Sequence, residues 1–237
     1  MLWYSEKVKE AMSLEENAKV EENVSSGKNW TLWYDNAAGL KDTGSGFSAR
    51  GRSRSGMGKV DLHNWESFLH NLSEIDSIDT FWALFNCILE PSKLPRGSNY
   101  HFFRTGVEPK WEDKFNEAGG KWVLTIPKGR KDLLDIFWLH LVLAVVGEVF
   151  PPTAANDIAG IVTSVRKNQD RIALWTCSAL NVELQELIGK SWSALACPGG
   201  LPVGFTLEYQ VHKDAMAKTS SFYNKVRYSV RGDSPPI

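Results

Sequence analysis

The sequence predicts an α+β domain organised around an antiparallel sheet. Three observations point there. Strand-like runs outnumber helical ones, several strands succeed each other through short turns, and 237 residues suffice for one substantial core. Hydrophobic residues make up 43% and charged residues 23%, the balance of an ordinary globular protein.

Residues 1–27 read as a flexible tail with one helical stretch around Glu6 to Lys19. A single domain is expected over 28–230, followed by a short tail at 231–237. "NWTLWYD" (Asn29 to Asp35) alternates large and polar side chains, the pattern of a half-buried strand. A long Gly/Ser/Arg-rich insertion at about 39–59 follows and reads as a solvated loop, with Arg50, Arg52 and Arg54 available to touch RNA. "SIDTFWALFNCI" (Ser77 to Ile88) has helical apolar spacing, with Asp76 and Ser77 as candidate caps. Arg130 to Phe150 forms a second helix, apolar nearly all round and ending near Gly147, and Asn181 to Ala196 a third. Between them lie "SNYHFFR", "KWVLTIP", "AGIVTSVRK", "RIALWTCS" and "GFTLEYQVH", each strand-like, and "RKNQDR" (Arg166 to Arg171) joins two of them as a hairpin. Gly119-Gly120 reads as a turn before Trp122.

Composition also limits function. The net charge of −1 excludes nucleic-acid binding through overall charge, so any phosphate site must be a local patch. Cys87, Cys177 and Cys197 form no C-x-x-C pair, which argues against a zinc site or disulfide scaffold and fits a reducing compartment. The first 25 residues lack an apolar signal core, and the longest apolar run, Ile136 to Val146, is too short to span a bilayer. A cytoplasmic protein, with nuclear presence also open, is expected. The five histidines are scattered outside H-E-x-x-H, and there is no G-x-S-x-G elbow, Walker loop or G-x-G-x-x-G. The chain reads as a binding protein without cofactor or metal, not an enzyme.

The informative excess is tryptophan, 10 residues against 6 tyrosines, too many for all to be explained as core. In "PKWEDKFNEAGGKW" (Pro109 to Trp122), Trp111 precedes Glu112 and Asp113 on what reads as a loop. A flat cation held between Trp111 and a second exposed tryptophan, with Glu112 accepting N–H bonds from its edge, would use that arrangement. Guanine methylated at N7 is such a cation. Its phosphates would need nearby basic side chains, which Arg166 and Arg171 could supply.

The landmarks "NWTLWY", Trp65, "IDTFWALFN", "GVEPKWEDKFNEAGGKW", "DLLDIFWLHLVLAVVGEVF", "IVTSVRKNQDRIALWT", "LIGK" and "YQVHKDAMAKTSS" resemble the cap-binding translation initiation factor 4E family from about Asn29 to Val230. The resemblance implies a strongly curved antiparallel β-sheet, with about three helices packed on its convex face. It implies cap-base contacts from Trp65, Trp111, Glu112 and Trp175, the first two as the stacking pair. Cap-phosphate contacts fall on Arg166, Arg171, Lys218 and, less directly, Lys121. It also implies a surface for a helical Y-x-x-x-x-L-Φ motif, from a scaffold initiation factor of the 4G type or a 4E-binding repressor, at Ile78, Trp82, Trp138, Leu139 and Gly147. Trp30, Trp33 and Trp122 are left for the core.

The sequence departs from the family pattern at three places. His140 stands where many members carry glutamate, "VSSGKN" replaces a His-Pro-Leu stretch before Trp30, and the loop from Tyr34 to Trp65 is longer than usual. The expected function is binding of capped mRNA and recruitment of a scaffold for translation initiation. The alternative is a cap-binding repressor or storage isoform. A decapping enzyme would need a carboxylate cluster for metal, which the sequence lacks. A tryptophan-lined carbohydrate module would show no preference for the N7-methyl group.

Overall fold

The computed structural model describes residues 29–36, 68–216 and 225–235. The 1–27 tail, the 39–59 insertion, Trp65 and Lys218 lie outside the described residues.

Eight antiparallel strands form one curved sheet in the order β2-β1-β3-β5-β6-β4-β7-β8. Their ranges are β1 Trp30–Asp35, β2 His70–Ile75, β3 Asn99–Arg104, β4 Gly120–Ile126, β5 Ile158–Ser164, β6 Asp170–Thr176, β7 Thr206–Val211 and β8 Val226–Arg231. The outermost strands are the two that the sequence reading does not identify. "HNLSEI" of β2 is exposed at five of six positions to some degree and carries little apolar signal. In β8, Val226, Tyr228 and Val230 do alternate with Arg227, Ser229 and Arg231, but the strand is short and charged. An edge strand buries less, and so shows less of itself in sequence.

The helices are α1 Ile78–Phe85, α2 Lys131–Val146, α3 Pro152–Asp157, α4 Val182–Leu195 and α5 His212–Met216. The three long ones match the three expected; α3 and α5 are single short turns. Helix α1 starts where Ser77 accepts a hydrogen bond from Thr80 N at 3.2 Å, and α4 starts where Asn181 accepts from Leu184 N at 3.0 Å. Helix α2 stops at Gly147, and Glu148 follows in the left-handed region at φ 51°, which turns the chain out of the helix.

The main core lies between the helices and the convex face. Trp122, Leu124 and Ile126 of β4, Ile172 and Leu174 of β6, and Tyr100 and Phe102 of β3 meet Leu134, Phe137, Trp138 and Leu141 of α2 and Ile188 and Trp192 of α4. Trp122 and Trp30 are core as expected, while Trp33 is only half-buried. A second, smaller cluster occupies the other face: Phe103, Val123, Ala159, Val162, Ala173 and Trp175, with Trp111, Phe115 and Cys177 packed against it.

Gly119 and Gly120 do not make the expected turn. Gly120 begins β4, and side chains there are forbidden by close approach: a Cβ on Gly119 would sit 1.8 Å from Thr176 O, and one on Gly120 2.5 Å from Tyr209 Oη. The glycines let β4 enter the sheet between β6 and β7.

Candidate functional site

Strand register decides which side chains share the concave face. Lys121 lies opposite Trp175 of β6 and Gln210 of β7; Val123 opposite Ala173 and Glu208; Thr125 opposite Arg171. Across β5, Gly160 faces both Trp175 and Phe103. Cross-strand partners point to the same side. The small residues Gly160, Val162, Val123 and Ala173 form the floor, and large or charged ones rise around it. Phe103 meets Trp175 edge-on at 5.4 Å, an arrangement that Gly160 permits, because a Cβ there would come within 2.5 Å of the Phe103 ring.

The loop carrying Trp111 is stitched from within. Asp113 accepts from Glu108 N at 3.0 Å and Phe115 N at 2.8 Å, and Asn116 Nδ2 donates to Glu108 O and Lys110 O at 2.9 Å each. Arg104 lies over the Phe115 ring at 5.3 Å and donates through Nη2 to Asn156 O at 3.0 Å. Asp113 and Asn116 thus hold the loop in one shape. They leave Trp111 half-buried on the Trp175 cluster and Glu112 exposed beside it. The largest apolar side chain stands beside a carboxylate because the loop presents both at the edge of the Trp175 cluster.

Trp175 itself is 7% exposed. The ring of His212 packs on it with centroids 4.2 Å apart. Neither nitrogen of His212 has a hydrogen-bond partner among the described residues. Burial, and then the charge of Lys121, push its imidazole down to about 3, so it is neutral. Lys121 is buried as well; burial and the Arg171 charge push its amine down to about 8.

Arg166 and Arg171 flank the β5–β6 hairpin, which Asp170 closes by accepting from Arg166 N at 2.8 Å. The Arg171 guanidinium is lowered by burial and raised by Glu208. Arg166 is lowered by burial first, with Asp35 opposing and Arg171 adding to the effect, so the two guanidinium groups feel each other. The Arg166 head is anchored: Nη1 donates to Ser98 O at 3.1 Å and Val165 O at 3.0 Å, and Nη2 to Asn99 Oδ1 at 2.7 Å. Those bonds use three of the five guanidinium N–H donors, and among the described residues the other two have no hydrogen-bond acceptor.

A half-buried tryptophan, an exposed carboxylate and three cations on one side of the sheet suit a flat base bearing phosphates. The family model for eukaryotic initiation factor 4E matches residues 27–227. The chain belongs to that family.

It is 38% identical over 201 residues to eukaryotic translation initiation factor 4E-1 of Hordeum vulgare subsp. vulgare, covering 85% of this chain and 79% of that protein. Among solved structures it is similar to C. elegans eIF4E-3 in complex with the 4E-binding protein Mextli and a cap analog. There the identity is 30% and the TM-score 0.66, over 86% of this chain and 96% of that one. Ascaris suum eIF4E-3 with an m7G cap gives 29% identity and TM-score 0.66, over 87% and 97%. The family is one of translation initiation factors, not enzymes.

Of the expected 4E-type residues, the structure brings together Trp111, Glu112, Trp175, Lys121, Arg166 and Arg171 on the concave side. On the helical side Ile78 is 52% exposed, Trp82 42% and Leu139 36%, and Gly147 is exposed at the end of α2. Trp138 is corrected. It is 2% exposed and stacks on Tyr100 at 6.2 Å, so it belongs to the core, and only its neighbour Leu139 reaches the surface. Leu139 lies about 100° further round the helix, which brings it to the surface. Asp35, Asn99, Asn116 and His212 were not singled out by sequence, and Asp113 was noted only as a second carboxylate beside Trp111. "YQVHKD" did mark the place of His212, though nothing in it indicates a ring packed behind Trp175.

Proposed function

We propose that the protein binds the N7-methylguanosine cap at the 5′ end of mRNA in its concave cleft and engages a scaffold factor or 4E-binding repressor through α1 and α2. The observation that carries this reading is the pairing of Trp111, packed over the Trp175 cluster, with Glu112 exposed beside it. The methylated base stacks on Trp111, with Trp65 as the other face of the sandwich, and Trp175 lies against the N7-methyl group. Stacking contributes roughly 1–3 kcal/mol per base. Glu112 accepts from guanine N1–H and N2–H in charge-assisted bonds worth about 1.5–3 kcal/mol each. Arg166, Arg171 and Lys121 take the phosphates, joined by Lys218.

Ile78, Trp82 and Leu139 are exposed apolar side chains suited to contact one face of an amphipathic helix. Cap-bound and Mextli-bound forms of C. elegans eIF4E-3 are consistent with both surfaces. Translation initiation places the protein in the cytoplasm, and no helix among the described residues is long and apolar enough to cross a membrane.

Tryptophan quenching tests the cap site. The wild type should bind N7-methyl-GTP far more tightly than GTP, and Glu112→Ala should lose roughly tenfold or more for the methylated ligand. Equal binding of GTP and N7-methyl-GTP by the wild type would overturn the reading.

A further inference from the structure

Behind the phosphate site lies a buried polar chain that the cap contacts do not explain. Asp35, the last residue of β1, is 3% exposed. It pairs in register with Asn99, the first residue of β3. Its Oδ1 and Oδ2 accept from Asn99 Nδ2 at 3.0 and 2.9 Å, and Oδ2 also meets His101 Nε2. The other end of the same amide, Asn99 Oδ1, accepts from Arg166 Nη2 at 2.7 Å. Three residues from β1, β3 and the β5–β6 hairpin thus form one line, carboxylate to amide to guanidinium.

The line has a direction. An ionised carboxylate only accepts and a guanidinium only donates, whereas an amide has one end of each kind. Placed between the two, Asn99 can satisfy both neighbours in only one orientation, with Nδ2 on Asp35 and Oδ1 on Arg166. The chemistry, not the electron count of the amide atoms, decides which end is which. Without the carboxylate the amide could invert and set Nδ2 against the guanidinium, donor against donor.

The spacer also matters electrostatically. A carboxylate in direct contact with Arg166 would satisfy the donors that a phosphate needs and cancel much of the charge. One amide further away, Asp35 still stabilises the buried guanidinium, raising its pKa against burial. Yet it occupies none of the N–H groups, because Coulomb attraction outlasts hydrogen-bond contact with distance. The two backbone carbonyls on Nη1 anchor the head; the amide on Nη2 sets its rotation.

We infer that Asp35 is a positioning residue for phosphate recognition: through Asn99 it aims the Arg166 guanidinium and keeps two of its donors available. This rests on the reading that Arg166 takes the cap phosphates. Asp35 touches no ligand.

A double-mutant cycle tests it, with N7-methyl-GTP and N7-methylguanosine titrated against wild type, Asp35→Asn, Arg166→Ala and the double variant. Asp35→Asn should lower N7-methyl-GTP affinity roughly five- to tenfold and leave N7-methylguanosine at the wild-type level. In the Arg166→Ala background, Asp35→Asn should add nothing for the triphosphate, since the group it aims is gone. Multiplying effects, or an equal loss for both ligands, would overturn the inference and make Asp35 a support of the fold. Thermal unfolding checks that each variant folds. Should Asp35→Asn not fold, Asn99→Ala breaks the same line at its middle while leaving Asp35 on His101, and the cycle is read with that variant instead. Failure of the wild type to prefer N7-methylated ligands would sink cap binding itself. An additive cycle with wild-type binding intact sinks only the role of Asp35.

Discussion

Strand β4 presents Trp122, Leu124 and Ile126 to the convex face and Lys121, Val123 and Thr125 to the concave one. Strand β6 does the same, with Ile172 and Leu174 on one side and Arg171, Ala173 and Trp175 on the other. On the convex side Trp122, Leu124, Ile126, Ile172 and Leu174 are all 0% exposed and meet helices. On the concave side, small side chains leave room, a lysine and an arginine are held against desolvation, and neither nitrogen of His212 has a hydrogen-bond partner among the described residues. One face is filled by packing against helices. The other holds desolvated cations, whose charge a bound anion can satisfy.

The largest expected effect tests the convex side. Trp122 is fully buried and packs so tightly on α4 that a Cβ at Gly189 would lie 2.6 Å from its ring. Trp122→Ala should cost about 3–5 kcal/mol of stability, read by urea denaturation, because the cavity cannot collapse between sheet and helix. Cap affinity of the folded fraction should change little. A variant that stayed as stable as wild type but lost cap binding would break the division between the faces.

Next comes Trp82, which marks the limit of that division, since its helix packs on the core through Phe81 and yet leaves Ile78 and Trp82 outside. Trp82→Ala should shift stability by no more than about 0.5 kcal/mol and weaken binding of a Y-x-x-x-x-L-Φ helix by roughly 2–4 kcal/mol. Capture of such a peptide on N7-methyl-GTP resin separates the two surfaces: the variant should stay on the resin and release the peptide. Retention of the peptide would return Trp82 to ordinary surface.

The same contrast explains what the sequence could and could not disclose. Core-facing elements announce themselves through period: α2 through an apolar run, β4 and β6 through alternation, and α1 through spacing and its Ser77 cap. Trp111 and Glu112, the residues proposed to hold the cap base, are legible because a tryptophan beside a carboxylate on a loop contradicts burial rules. The supporting residues are silent for the opposite reason. Asp35 at the end of β1 looks like a strand-terminating polar residue, and Asn99 like another. Their meaning lies in a pairing 64 positions apart that only the β1–β3 register creates. Trp138 misleads for a related reason: standing next to Leu139 in sequence does not put it on the surface, and it packs inward on Tyr100 while Leu139 is exposed.

The smallest expected effect concerns Lys121 and sharpens the claim that the concave face holds desolvated charge. Its amine is lowered from an ordinary 10.5 to about 8, by burial first and by Arg171 second. Between those two values the folded, ligand-free protein holds fewer protons than the unfolded chain, so this group's contribution makes stability rise with pH across that window. Phosphate acts in the opposite sense. Its negative charge favours the ammonium, so above about pH 8 binding must take up a proton, and affinity for the triphosphate should fall as pH rises through that value. The methylated base loses its own N1 proton in the alkaline range, which would confuse a single titration. The ratio of N7-methyl-GTP to N7-methylguanosine affinity removes that contribution, because both ligands share the base. From pH 7 to 9.5 the ratio should drop by roughly fivefold in wild type. In Lys121→Met it should be lower at pH 7 and nearly flat, while the ligand-free variant should be no less stable than wild type, since a desolvated charge has been replaced by an apolar chain of similar length. A decline of equal size in Lys121→Met would assign the titration to the phosphates or to another group. Lys121 would then be a buried lysine of the sheet and not a stored charge for the cap.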